Sequence, residues 1–170
     1  MKVLLIVLCA LALVSPSLPA SSFDNEEGHY LLTALPEADR EAVRMDRMLL
    51  CDQQPAGIYL RKGETVTLDV RGLPKDFYLG AMVGFRPMWG SPQDQQEEPL
   101  EEGETRLRAN QDGPLYFKFT APEGRDDARA EVSVSVSGGH PLPLYIDGSM
   151  TADDWRAELA AHATAPFVHL

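Results

Sequence analysis

The stretch Gln54-Pro-Ala-Gly-Ile-Tyr-Leu-Arg-Lys-Gly-Glu-Thr-Val-Thr-Leu-Asp-Val-Arg71 reads as two strands around a turn. Ile58-Tyr59-Leu60 is a short apolar run behind a Pro-Ala-Gly breaker, and Lys62-Gly63 is a turn dipeptide. Val66, Leu68 and Val70 then alternate with Thr65, Thr67, Asp69 and Arg71. A period of two puts the three aliphatic side chains on one face and the polar ones on the other, the mark of a half-buried strand.

The same pattern recurs downstream. Phe77–Phe85 is a nearly continuous apolar run with two glycines, suited to a strand buried on both faces or bent at Gly80 or Gly84. Thr105–Ala109 is a short strand. Leu115, Phe117 and Phe119 alternate with Tyr116, Lys118 and Thr120, and Val132, Val134 and Val136 with Ser133, Ser135 and Ser137. Pro141–Ile146 reads as extended. The connections carry turn chemistry at Gly72–Asp76, Asn110–Gly113 and Ala121–Asp127, and Asp94–Glu104 reads as a polar, acidic connection. About seven short strands spaced in this way predict a mainly β fold, an antiparallel β-sandwich of Ig-like or jelly-roll-like type.

Helices are expected at both ends. Leu35, Ala38, Ala42, Met45 and Leu49 form an apolar stripe behind Leu35-Pro36, predicting an N-terminal helix that packs on the sheet and stops near Cys51. Thr151-Ala-Asp-Asp154 is a capping-box pattern opening a short C-terminal helix with Trp155 and Leu159 on one side. The segments are therefore 1–20, a signal peptide; 21–52, an N-terminal arm (loose over Ser21–Tyr30) and helix; 53–148, the sandwich; and 149–170, a short helix leading towards a following domain.

Lys2, the apolar run Val3–Val14 and the small, breaker-rich Ser15–Ala20 have the three-part layout of a secretory signal cleaved near Ala20, so the protein is expected to be secreted or periplasmic. The run is too short for a membrane anchor. Net charge is -11, and without Lys2 the 14 remaining basic residues face 26 acidic ones, giving -12. That balance argues against nucleic acid and anionic membrane as partners. Cys51 alone remains after processing, so no internal disulfide is expected, and it reads as a small apolar side chain at a helix end.

No catalytic constellation stands out. None of His29, His140, His162 and His169 lies in a His-Glu-x-x-His arrangement, and no Gly-x-Ser-x-Gly is present. Adjacent carboxylates such as Glu97-Glu98 and Asp153-Asp154 read as solvated, and the acidic stretch 94–104 lacks the ligand order of a calcium loop. The candidate binding residues are Trp89, Arg86 and Tyr78. An aromatic ring beside an arginine on a sandwich rim can stack on a sugar; the competing role for Trp89 is to cover the end of the core.

Four segments, in order, resemble secreted enhancin-like (peptidase M60-like) zinc metallopeptidases that act on mucin-type glycoproteins. They are Pro55-Ala-Gly-Ile-Tyr59 with Gly63-Glu64; Gly113-Pro-Leu-Tyr116; Val132–Gly139 followed by Pro143-Leu-Tyr-Ile-Asp-Gly148; and Thr151-Ala-Asp-Asp-Trp155 followed by Ala165-Pro-Phe-Val-His-Leu170. The resemblance is to the β-domain that precedes the catalytic domain. Gly84-Phe-Arg-Pro-Met88 stands where that family has Gly-x-His-Thr-Asp. The resemblance implies a non-catalytic module without a cofactor of its own, zinc belonging to the absent catalytic domain. Implied partners are that domain or another protein, and glycans or glycoproteins. A stand-alone interaction sandwich and a hydrolase with an unrecognised acid/His site are the alternatives.

Overall fold

The computed structural model describes residues 28–38, 40, 43, 52–85, 95–125, 128–145 and 147–163. Among them the strands are β1 (His29–Thr33), β2 (Gln53–Leu60), β3 (Thr65–Arg71), β4 (Tyr78–Val83), β5 (Gln96–Pro99), β6 (Gly103–Arg108), β7 (Gly113–Thr120), β8 (Glu131–Ser137) and β9 (His140–Pro141). The helix α1 spans Ala152–Ala161. A four-stranded sheet in the order β1-β8-β3-β6 faces a five-stranded one in the order β5-β4-β7-β2-β9. All strand pairings are antiparallel, and the chain is the expected mainly β sandwich.

The alternating residues form the core. Val66, Leu68 and Val70, with Val132, Val134 and Val136, line the inner face of one sheet. Leu79, Ala81 and Val83, with Leu115, Phe117 and Phe119, line the other. Burying one such large side chain contributes roughly 1.5–3 kcal/mol. Two ring contacts fix the layers: Tyr30 meets Phe117 and Phe77 meets Phe119, each at 5.7 Å between centroids.

β2 and β3 do not form a hairpin with each other. The turn between them carries the chain from the five-stranded sheet to the four-stranded one. It is held by backbone N–H groups: Glu64 donates to the Arg61 carbonyl at 3.0 Å and Gly63 to that of Ala109 at 2.8 Å. Lys62 donates to Asp112 Oδ1 at 2.7 Å.

Two expectations about the strands are corrected. The polar stretch 94–104 contains β5 and the start of β6, because charged residues are tolerated on edge strands whose outer faces meet water. His29 and Tyr30 belong to β1 and not to a loose arm, with Leu32 buried under the sheet. Within the described part of the run expected to be extended, 141–145, Pro141 pairs with Ile58 of β2, beside His140 with Tyr59. At the turn before β9, Gly139 has φ of 79°, and a Cβ there would stand 2.5 Å from Ile58 Cγ2 and 2.8 Å from Leu60 Cδ2. Only glycine combines that conformation with that closeness.

Leu35 crosses between the sheets. Its N–H donates to the Phe119 carbonyl at 2.9 Å, and its carbonyl accepts from Ala121 at 3.3 Å. Ala38, Arg40 and Val43 are helical. Leu35, expected to open the helix, is instead bridged to Thr120, and the helical positions begin at Ala38. Cys51, the signal segment 1–20 and the other residues of the expected N-terminal helix past Ala38 lie outside the described residues. No helix among the described residues is long and apolar enough to cross a membrane.

Candidate functional site

The period-two pattern that buries Leu115, Phe117 and Phe119 turns Tyr116, Lys118 and Thr120 of β7 to the outer face of the five-stranded sheet. Tyr78 stands on the same face, opposite Thr120 across the β4–β7 ladder. Its hydroxyl donates to Glu97 Oε1 at 2.5 Å, linking β4 to β5. The ring leans over Gly80, where a Cβ would come within 2.6 Å of the phenol oxygen, so glycine makes room for it. Burial raises the Tyr78 pKa, as do the Glu97 hydrogen bond and the charges of Glu97 and Glu98, so the phenol stays protonated well beyond neutral pH.

Lys118 Nζ lies 6.0 Å from the centre of the Tyr78 ring. It also stands 3.4 Å from Asp52 Oδ2 and 3.7 Å from Glu37 Oε1. Asp52 is only 3% exposed, and the same carboxylate oxygen accepts the Ala38 N–H at 3.0 Å. A buried carboxylate needs such partners, because an unpaired buried charge costs several kcal/mol. Arg40 Nη2 donates to the Ala121 carbonyl at 2.9 Å. This network pins Glu37, Ala38 and Arg40 to the sheet, and its charges are neutralised internally.

Of the binding residues expected from the sequence, Tyr78 is half-buried with its hydroxyl engaged by Glu97. Arg86 and Trp89 lie outside the described residues. Lys118 and Asp52 did not stand out in the sequence. Lys118 occupies a polar position of an alternating strand, where a solvated cation is the ordinary reading, and Asp52 resembles any acid at a helix–strand junction.

The described histidines fall in separate places. His29 Nδ1 is 2.6 Å from Ser135 Oγ on the outer face of the four-stranded sheet. His140 Nε2 is 2.8 Å from Glu64 Oε1 at the turn joining β2 and β3. His162 Nδ1 is 3.2 Å from Glu158 Oε1 at the end of α1. His169 lies outside the described residues. Glu64 is held below the ordinary carboxylate range, chiefly by the Arg61 N–H and then by the His140 hydrogen bond. Among the described residues no acid is recorded orienting the His29 imidazole, the partner that an activated serine nucleophile needs. Among the described residues no three His, Cys, Asp or Glu side chains come together as a metal-ligand set, so they do not fit the zinc of the family named above.

Comparison with known proteins places the architecture. No protein-family model matches the chain, and no curated protein does. Solved structures do. A functionally unknown conserved protein from Bacillus anthracis, in a mutant form, is 28% identical with a TM-score of 0.56, over 78% of this chain and 26% of that one. The catalytic module of the metalloprotease ZmpA from Clostridium perfringens is 14% identical with a TM-score of 0.61, over 82% and 30%. The M60 catalytic domain of Clostridium perfringens ZmpC, in complex with the sialyl T antigen, is 17% identical with a TM-score of 0.57, over 80% and 28%. The chain thus has a fold found within M60-type metallopeptidase structures and spans less than a third of their length.

Proposed function

We propose that the chain is a non-catalytic β-sandwich module of an exported, mucin-directed zinc metallopeptidase, packing beside a catalytic domain and helping to present glycoprotein to it. The observation that carries this reading is the exposed arm after the sandwich. Leu144 and Tyr145 are each 52% exposed, Tyr145 meets Trp155 edge-on at 5.6 Å, and α1 buries none of its residues. An apolar strip on an otherwise polar arm suits packing against a neighbouring domain. The order of the four family-like segments and the fold shared with metallopeptidase modules support the same reading.

Glycan contact belongs to the proposal through Trp89 and Arg86, together with Tyr78. Stacking of an aromatic ring contributes about 1 kcal/mol, so Trp89→Ala is expected to weaken glycan binding roughly tenfold. A glycan array on the purified chain measures this, and binding unchanged by the substitution removes Trp89 from the site. The purified chain is expected to leave mucin intact with zinc supplied; chelator-sensitive cleavage would overturn the non-catalytic assignment.

A further inference from the structure

β6 forms one edge of the four-stranded sheet, and no described strand pairs with its outer side. Its hydrogen-bonding phase can be read from its end. Ala109 donates its N–H to the Glu64 carbonyl at 2.8 Å, and Arg108 sits opposite Thr65 in the same ladder. In an antiparallel ladder hydrogen-bonded and non-bonded pairs alternate. Leu107 and Thr105 therefore turn their backbone groups towards β3, while Arg108, Arg106 and Glu104 turn theirs to the open edge. The Arg108 carbonyl already accepts from Gln96 Nε2 at 2.9 Å. Glu104 and Arg106 remain, with side chains 63% and 77% exposed and their nearest charged atoms 4.0 Å apart.

We infer that this edge pairs with the same edge of a second copy, joining two four-stranded sheets through a two-fold axis at Thr105. In that register Glu104 lies opposite Arg106 of the other copy, and Arg106 opposite its Glu104. Both are hydrogen-bonded pairs, so the four outward N–H groups meet four outward carbonyls. The neighbouring registers of the same phase are each worse on charge, one setting Arg106 against Arg106 and the other Glu104 against Glu104. Like charges directly opposite are destabilising, and opposite ones favourable. Shifting by one residue fails on phase, since it presents groups already bonded to β3. Edges are ordinarily blunted by charged side chains; here the charges alternate in sign, so the edge complements itself across a two-fold axis. Glu102 takes no part, because its carboxylate accepts the Gly72 and Leu73 N–H groups at 3.0 and 2.8 Å.

A junction of this size makes a weak, reversible dimer that works against the repulsion of two chains of charge -11. Sedimentation equilibrium on the full chain near physiological ionic strength, up to about 1 mM, tests it. A monomer–dimer equilibrium is expected. Arg106→Glu and Glu104→Arg should each weaken it roughly tenfold or more, since two attractive pairs become repulsive. The combined Glu104→Arg, Arg106→Glu chain should recover it, and a mixture of the two single variants should form the heterodimer. Circular dichroism on each variant verifies that the exposed substitutions leave the fold intact. A chain monomeric throughout, a dimer indifferent to either reversal, or a combined variant as weak as the single ones would each overturn the inference.

Discussion

The sandwich and the arm that follows it are built on different principles. In the sandwich, β3, β7 and β8 each send every second side chain into a shared layer, and Leu68, Val70, Leu115, Phe117, Phe119 and Val134 have no exposed surface at all. In the arm, β9 contributes two residues to the sheet, and α1 keeps its geometry without burying one side chain. What holds α1 is local. Thr151 accepts the Asp154 N–H at 3.2 Å while Asp154 accepts the Thr151 N–H at 2.9 Å, closing a capping box. Asp153 and Asp154 sit at the positive end of the helix. Leu144 donates its N–H to Glu158 Oε1 at 3.1 Å. A ten-residue helix resting on such devices is marginal in water, so the arm is the element most dependent on whatever packs against it.

The comparison breaks most visibly in the core. Phe117 joins the two layers through Tyr30, and Phe117→Ala is expected to cost about 3–5 kcal/mol, enough to unfold a marginal domain. Denaturant melts would show it as a shifted midpoint with an unchanged slope. Trp155→Ala, of equal drama on paper, should leave the global midpoint within about 0.5 kcal/mol, as surface substitutions do.

The hinge between the two regions is next. Gly139→Ala places a methyl group against Ile58 and Leu60 in a conformation that alanine disfavours. Overpacking of this kind costs about 1–3 kcal/mol. Relief by detaching β9 from β2 would appear as faster amide exchange at Leu142, whose N–H donates to the Gly57 carbonyl at 2.8 Å. Exchange unchanged at Leu142 would show that the strain spreads into the core instead.

Much of the sandwich was legible because period-two alternation is a strong signal wherever one face meets water: β3, β7 and β8 fall close to their expected limits. β5 was missed because Gln96, Glu97 and Glu98 carry no alternation, their pairing being set by β4 beside them. β1 was missed for a similar reason; a strand of five residues with one buried side chain leaves little trace. That β2 and β3 lie in different sheets was not legible either, since a tight turn with a Gly serves a crossing as well as a hairpin. Of the site, the aromatic character of Tyr78 was visible, but its partner Glu97 is fixed only by the β4–β5 register, and the Lys118–Asp52 pair depends on contacts distant in sequence.

A smaller effect lies at the clamp beside the hinge. Glu64 joins the Arg61 N–H to His140, and its folded pKa lies below the unfolded value. Such a carboxylate contributes stability that is present above the unfolded pKa and lost as pH falls through the folded one. Glu64→Gln should therefore lower the thermal midpoint slightly at neutral pH and flatten its fall in acid. Glu64 is about a third exposed, so solvent screens much of the effect. Melts of the two proteins that stay parallel down through the carboxylate range would remove the clamp from the account.

The least effect is expected from removing the arm's end, and there the comparison between the two regions is sharpest. Residues 149–163 contribute no buried side chain, and their ties to the rest include the Tyr145–Trp155 ring contact and the Leu144–Glu158 hydrogen bond. Both reach residues that are themselves outside the core. Deleting 149–170 should leave the thermal midpoint nearly unchanged, because exposed terminal segments with few contacts contribute little to the cooperative unit. The intact chain, in turn, should exchange the amides of α1 far faster than those of β7. A drop in midpoint comparable to that of a core substitution would mean that the arm is part of the sandwich's own stability. The exposed Leu144 and Tyr145, with the half-buried Trp155, would then belong to the domain's own packing and not to a contact with a neighbouring domain.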